Sequence, residues 1–255
     1  MLRRAVTPLA ALTLLLVIWE LTVRILGVPA WQLPPPSGIA AAALAHAGDL
    51  GASAWVTARA ALTGFVASAV IGVLVAMVLA SSRLLERALY PYTVFLQTVP
   101  IVAVAPLLVL WFGPGFRAVA VSALIVSVFP VIAGTLTGLR SVDPALKDLF
   151  RLYGASRAAM LIKLELPAAI PSIVTGLRVA SGLAVIGTIV GEFVAGFSEG
   201  AAGLGITVLE ANKQFQTDLL FAAVLSASLL GLLIFGAVNL AGHLLLRRWH
   251  PSEKG

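Results

Sequence analysis

The chain has 255 residues, of which 60% are hydrophobic and 11% charged, with a net charge of +6 and a mean hydropathy of +1.04. Water-soluble domains carry about a quarter charged residues, so this composition excludes a globule wetted on all sides and points to an all-α, polytopic membrane protein. With no cysteine, disulfides and thiolate metal sites are excluded, and the basic surplus, by its distribution, marks membrane topology rather than nucleic-acid binding.

A membrane helix needs about 20 mostly apolar residues. Six windows meet that need: Leu9–Leu26, Ala60–Ala80, Tyr92–Phe112, Ala118–Leu139, Ala168–Phe197 and Leu219–Leu246. Arg3-Arg4 before the first window and Val28-Pro29-Ala30 after it imitate a cleaved signal peptide. Glu20 and Arg24 interrupt its tail, one turn apart in the favourable order, which favours a retained span. Pro34-Pro35-Pro36 then predicts a stiff extracytoplasmic linker. The predicted organisation is therefore an accessory helix and linker over 1–54, a five-helix core over 55–248 and a cytoplasmic tail over 249–255.

The second span places Gly64, Ser68, Gly72, Ala76 and Ala80 at every fourth position. Gly134 and Gly138 in the fourth span, and Gly187 and Gly191 in the fifth, repeat the spacing. Such rows let helix backbones approach closely where lipid supplies no hydrophobic drive. Pro100, Pro106 and Pro130 lie inside spans, which a bundle tolerates when neighbours satisfy the freed carbonyls. With the N-terminus placed in the cytoplasm, thirteen of the seventeen Lys and Arg residues fall on or near the inner side, and only Arg24, Arg59, Arg117 and Lys213 fall outside. Both termini are then cytoplasmic. Trp31, Trp55, Trp111 and Trp249 sit near span ends, as interfacial anchors do.

The inner side carries one sizeable polar excursion, Arg140 to Pro167. Asp143 then Pro144 is a helix start. Leu146, Leu149, Phe150 and Tyr153 recur with helical spacing as one apolar stripe, with Lys147, Asp148 and Arg151 on the other side. Gly154 stands where a left-handed cap is wanted. Ser156 can cap a second short helix carrying Arg157, Met160, Lys163 and Glu165 and stopping at Pro167. An amphipathic helix lying on anionic lipid is one reading. A defined glycine turn between two capped helices favours the other, a rigid knob for a soluble partner.

Here the residues resemble a known family. Permease subunits of bacterial ABC importers share a cytoplasmic signature of Glu-Ala-Ala, three residues, Gly, nine residues and Ile-x-Leu-Pro. This chain places Asp148-Leu149-Phe150 at the first three positions, Gly154 at the glycine, and Leu164-Glu165-Leu166-Pro167 at the end; Leu149 and Phe150 replace the two alanines. Further likeness runs from about Trp55 to Arg248: Gln97-Thr98-Val99-Pro100, Ala105-Pro106-Leu107, Leu110-Trp111-Phe112-Gly113, Gly138 to Pro144, Thr175-Gly176-Leu177-Arg178 and Gly203-Leu204-Gly205. These segments look like the subfamily that serves nitrate, taurine, aliphatic sulfonates and some vitamin or thiamine-precursor heterocycles.

The resemblance implies the type I importer permease fold, six transmembrane helices with cytoplasmic coupling helices, in a bacterial cytoplasmic (inner) membrane. It implies a homodimer, two cytoplasmic ATPase subunits that carry ATP and magnesium, and a periplasmic or lipid-anchored solute-binding protein. Asp148, Leu149, Phe150, Arg151, Gly154, Ala155, Ser156, Arg157, Leu164, Leu166 and Pro167 would then form the ATPase-coupling loop. The chain itself is expected to be no enzyme and to bind no cofactor: its four lysines are followed by Asp, Leu, Gln and Gly, which rules out a phosphate-cradling Gly-x4-Gly-Lys-Ser/Thr loop.

Gln97, Thr98, Ser122, Ser127, Ser181 and Thr188 could line a translocation path, or each could bond to its own helix backbone. Glu192, near the outer end of the fifth span, reads as a gate or a docking contact; a helix-end carboxylate in water, or paired with a basic neighbour, is the alternative. Asn239 and His243 lie one turn apart near the inner end of the last span. The histidines are scattered, so no metal site is expected. The stretch Glu199 to Gly205 reads as a flexible outer loop. A proton-coupled secondary transporter is the rival class. It would want ionisable groups at the bilayer midplane, and only Glu20 and Glu192 come near.

Overall fold

The computed structural model describes residues 2–195 and 202–247, and its regular elements there are helical. In chain order they are α1 (Leu2–Ile25), α2 (Pro36–Ala45), α3 (Ala47–Ser81), α4 (Arg83–Thr98), α5 (Ile101–Phe112), α6 (Phe116–Arg140), α7 (Pro144–Leu152), α8 (Arg157–Met160), a single π-helical turn (Leu161–Glu165), α9 (Leu166–Ala195), α10 (Leu204–Lys213) and α11 (Thr217–Leu246). Four of these stretches are long and apolar enough to cross a membrane: α3, α6, α8 through α9, and α11. Counting α4 and α5 as one broken span makes five, and the first expected window falls in α1.

Small residues decide how the helices run. Gly64 meets Ala120 and Ala123, and Gly72 meets Val128 and Val131, so α3 and α6 are parallel. Gly138 meets Ala169 whereas Gly187 meets Ala123, so α6 and α9 are antiparallel. Gly242 against Val174 and Gly231 near Val185 set α11 antiparallel to α9. Some of these approaches bring backbones into contact. A methyl group at Gly176 would lie 2.6 Å from the carbonyl oxygen of Pro130, and one at Gly138 would lie 2.9 Å from that of Ala169. Leu79, Val128, Ile132, Leu136, Leu139 and Ala169 fill the core between α3, α6 and α9 near the loop end.

Three expectations need correction. The third window, Tyr92–Phe112, is two helices meeting at a 98° bend. Val99 and Pro100 are extended there, because a residue before proline is driven out of the helical region and Pro100 has no N–H to donate. Pro106, Pro130 and Pro171 stay inside helices. The second loop helix does not stop at Pro167: α8 continues through the π turn into α9. The Leu166 N–H reaches back five residues to the Leu161 oxygen. That wider turn gives room for a ring that would collide with the carbonyl four residues back. Pro35 is extended and Pro36 opens α2 as its first residue. Finally, Leu204 and Gly205 open α10 and are buried, not loop. Phe197, Glu199 to Ala201, Arg248, Trp249, His250, Lys254 and the 249–255 tail lie outside the described residues.

Candidate functional site

Local chemistry builds the loop after α6. Asp143 accepts from the Ala145 N–H at 2.8 Å and so caps α7. At its far end Gly154 has φ +72°. Its N–H donates to the Arg151 oxygen, and that of Ala155 to the Phe150 oxygen, the paired bonds of a left-handed glycine cap. Ser156 accepts from the Ala159 N–H at 3.2 Å and starts α8. A capped helix, a glycine turn and a second capped helix are therefore present where the residues require them.

The way α7 sits on the bundle is less obvious. Its half-buried Lys147 places Nζ 3.0 Å from Oε1 of Glu165, a carboxylate only 2% exposed. Arg157 Nη1 reaches the same oxygen at 3.5 Å, and Nη2 donates to the Ala80 carbonyl near the end of α3 at 2.7 Å. Glu86 pairs with Arg140 close by, and Arg151 with Asp148 at 2.8 Å. Lys147 and Phe150 are thus the α7 residues turned toward the bundle, while Leu146, Leu149, Leu152 and Tyr153 are exposed and no residue of α7 is buried. Of the predicted loop residues, Asp148, Arg151, Gly154, Ser156 and Arg157 are likewise exposed; Phe150 and Ala155 are half-buried, and Leu164, Leu166 and Pro167 lead into α9. Glu165, the centre of this hub, was missed because its partners are 8 and 18 positions away.

At the opposite end of the bundle, Glu192 is buried, 3% exposed. It accepts from Thr57 Oγ1 at 2.8 Å and from the Gly205 N–H at 2.7 Å. Thr57 Oγ1 in turn accepts from the Leu204 N–H at 2.9 Å. The carboxylate therefore fastens α9 to α3 and to the first turn of α10, where backbone N–H groups without a helical partner and the helix dipole favour a negative group. Among the described residues it is neither in water nor paired with a base. Thr207 Oγ1 donates to Ser53 Oγ at 3.1 Å alongside.

The other polar candidates are not brought together. Ser181 and Thr188 have no exposed surface and donate to the carbonyls of Arg178 and Ala184 on their own helix; Ser122 and Ser127 do the same to Ala118 and Ala123. Gln97 and Thr98 are exposed on the last turn of α4, beside the bend. Arg178 makes no ion pair among the described residues, and its Nε is buried without an acceptor. Glu20 accepts from Arg24 and from the N–H and hydroxyl of Ser37, fastening α1 to the start of α2.

Comparison with known proteins agrees with this architecture. The family model described as "Binding-protein-dependent transport system inner membrane component" matches residues 68–251. The chain is 35% identical to the formylaminopyrimidine transport permease of Halalkalibacterium halodurans, over 98% of both chains. It is 36% identical to the riboflavin transport system permease of Chloroflexus aurantiacus, over 94% of this chain and 89% of that one. It is 28% identical to the taurine transport system permease of Escherichia coli, over 91% and 86%. An all-helical, multi-pass chain with this loop and these relatives belongs to the inner-membrane permease subunits of binding-protein-dependent ABC importers.

Proposed function

We propose that two copies of this chain form the translocation unit of an ATP-driven importer, each seating its α7–α8 loop in a cytoplasmic ATPase subunit. The reading is carried by the orientation of α7. Its Lys147 is bonded to Glu165, while Leu149, Leu152 and Tyr153 are left uncovered, which is costly unless a partner buries them. ATP and magnesium belong to that partner, and a solute-binding protein delivers cargo at the other end. Residues 55–248 form the core and 1–54 the accessory helix that supplies a sixth span, with both termini cytoplasmic.

Closure of the ATPase pair on nucleotide displaces α7. The Lys147–Glu165–Arg157 hub passes that displacement to α9, and the Arg157 bond to Ala80 passes it to α3. Two arrangements of one packed bundle then differ in their contacts with the nucleotide-bound partner. At the far end Glu192 and Thr57 hold the α9–α10 corner shut and act as a gate, while Gln97 and Thr98 line the path at the bend. The cargo is a small solute: a vitamin or thiamine-precursor heterocycle, as the names of the relatives at 35% and 36% identity suggest, or a nitrate-, taurine- or sulfonate-type anion. The test is uptake into proteoliposomes containing the chain, its ATPase and its binding protein, with the cargo identified from ligand that copurifies with the binding protein. ATP-dependent uptake of that ligand is expected; uptake driven by a pH gradient without the ATPase would refute the reading.

A further inference from the structure

Beside the loop, an open basin of about 830 Å³ lies between α3, α4, α6 and α7. Six cations line it: Arg83, Arg87, Arg140, Lys147, Arg151 and Arg157. The carboxylates in its wall are Glu86 and Glu165, and both are committed, the first to Arg140 and the second to Lys147 and Arg157. Arg151 is answered by Asp148. Arg83 and Arg87, both exposed on the first two turns of α4, have no ion pair among the described residues. The basin therefore holds positive charge that the protein itself leaves unanswered.

The next face of the same helix has the opposite chemistry. Leu89, Tyr92 and Leu96 of α4 form, with Leu74, Val75 and Val78 of α3, an apolar groove of about 460 Å³. A soluble anion would use the basin alone. A molecule with a phosphate at one end and hydrocarbon at the other uses both faces of α4, at the end of the spans where headgroups lie. We propose that Arg83 and Arg87 bind the phosphate of an anionic phospholipid, one acyl chain of which runs in the α3–α4 groove. Bound there, the lipid braces α4, and hence the bend at Val99-Pro100, against the loop that the ATPase grips. The proposal does not depend on which solute is carried.

The test is lipid retention by native mass spectrometry, on the complex with its ATPase and binding protein released from nanodiscs of phosphatidylglycerol or phosphatidylcholine. Wild type is expected to retain phosphatidylglycerol preferentially. Arg83→Gln with Arg87→Gln is expected to weaken that retention about thirtyfold, the loss for two basic groups facing an anionic lipid. Leu89→Ala with Leu96→Ala keeps the charge and is expected to weaken retention severalfold. Arg24→Gln, at the opposite end of the spans, is expected to leave it unchanged and controls for general charge. Equal retention of the two lipids, or a double arginine variant that binds as wild type, would overturn the proposal. So would millimolar inorganic phosphate displacing the lipid while the leucine variant binds normally, which would assign the basin to a soluble anion. An ATPase that strips the lipid from the wild-type complex would place protein in the basin and overturn it too.

Discussion

Glu165→Gln removes the one negative charge that Lys147 and Arg157 share. At 3.0 Å and an effective dielectric constant near 20, the Lys147–Glu165 attraction alone is about 5.5 kcal/mol before desolvation is counted. Removing one member of a buried pair costs about 3–5 kcal/mol, because the other is left uncompensated. Lys147 and Arg157 are 21% and 50% exposed and so regain some hydration, which places the cost at about 3 kcal/mol, the low end of that range. About 1.4 kcal/mol is a factor of ten, so the attachment of α7 to the bundle weakens roughly a hundredfold. The surface that α7 offers to a partner is untouched. The variant is therefore expected to pull down its ATPase at wild-type yield while moving at least about tenfold less solute per ATP hydrolysed in proteoliposomes. Lys147→Met is expected to have a smaller effect, since Arg157 remains, and the double variant is expected to be non-additive. Wild-type transport per ATP by Glu165→Gln would refute the hub as the link between loop and bundle.

Gly154→Ala meets no neighbour within 4 Å, so its cost is the left-handed conformation alone, about 1–2 kcal/mol, read as weaker ATPase association. Gly154→Pro cannot adopt φ +72° and loses the N–H bonded to Arg151, so association is expected to vanish while membrane insertion persists. Thr57→Val leaves the Leu204 N–H and one Glu192 oxygen unsatisfied and is expected to cost about 2–4 kcal/mol. The checks are transport and faster labelling of a cysteine placed at Ala211. Gly138→Leu drives a side chain into the Ala169 backbone and is expected to lower thermal stability in detergent by at least about 1–3 kcal/mol. Thiol labelling of a cysteine at Arg151 is expected only from the inner side; reaction from outside intact cells would put the loop on the wrong face.

Much of the loop was legible because its signals are local. Asp143 before Pro144, Gly154 after the last periodic residue, and Ser156 ahead of Arg157 each act within four residues, and each makes the bond its side chain or φ requires. Prolines were harder to interpret. Pro106, Pro130 and Pro171 ride inside helices while Pro100 breaks one, and nothing in a proline's own neighbourhood says whether packing will satisfy the freed carbonyl. The same holds for Pro167, where a π turn absorbs the ring. Glu192 stood out as an ionisable group in an apolar span, yet its partners could not be read off, since Thr57 is 135 positions away.

Composition and the apolar windows were enough to predict a multi-pass membrane protein, because they reflect transfer to lipid, and the resemblance of the loop signature to a known family supplied the permease reading. Only the folded bundle decided that α7 turns Lys147 inward and its leucines outward, that the third window bends by 98°, and that Arg83 and Arg87 face a basin with no carboxylate left for them. Those outcomes depend on which distant groups share a low-dielectric space, and pairing across tens of residues leaves no period or motif in the chain.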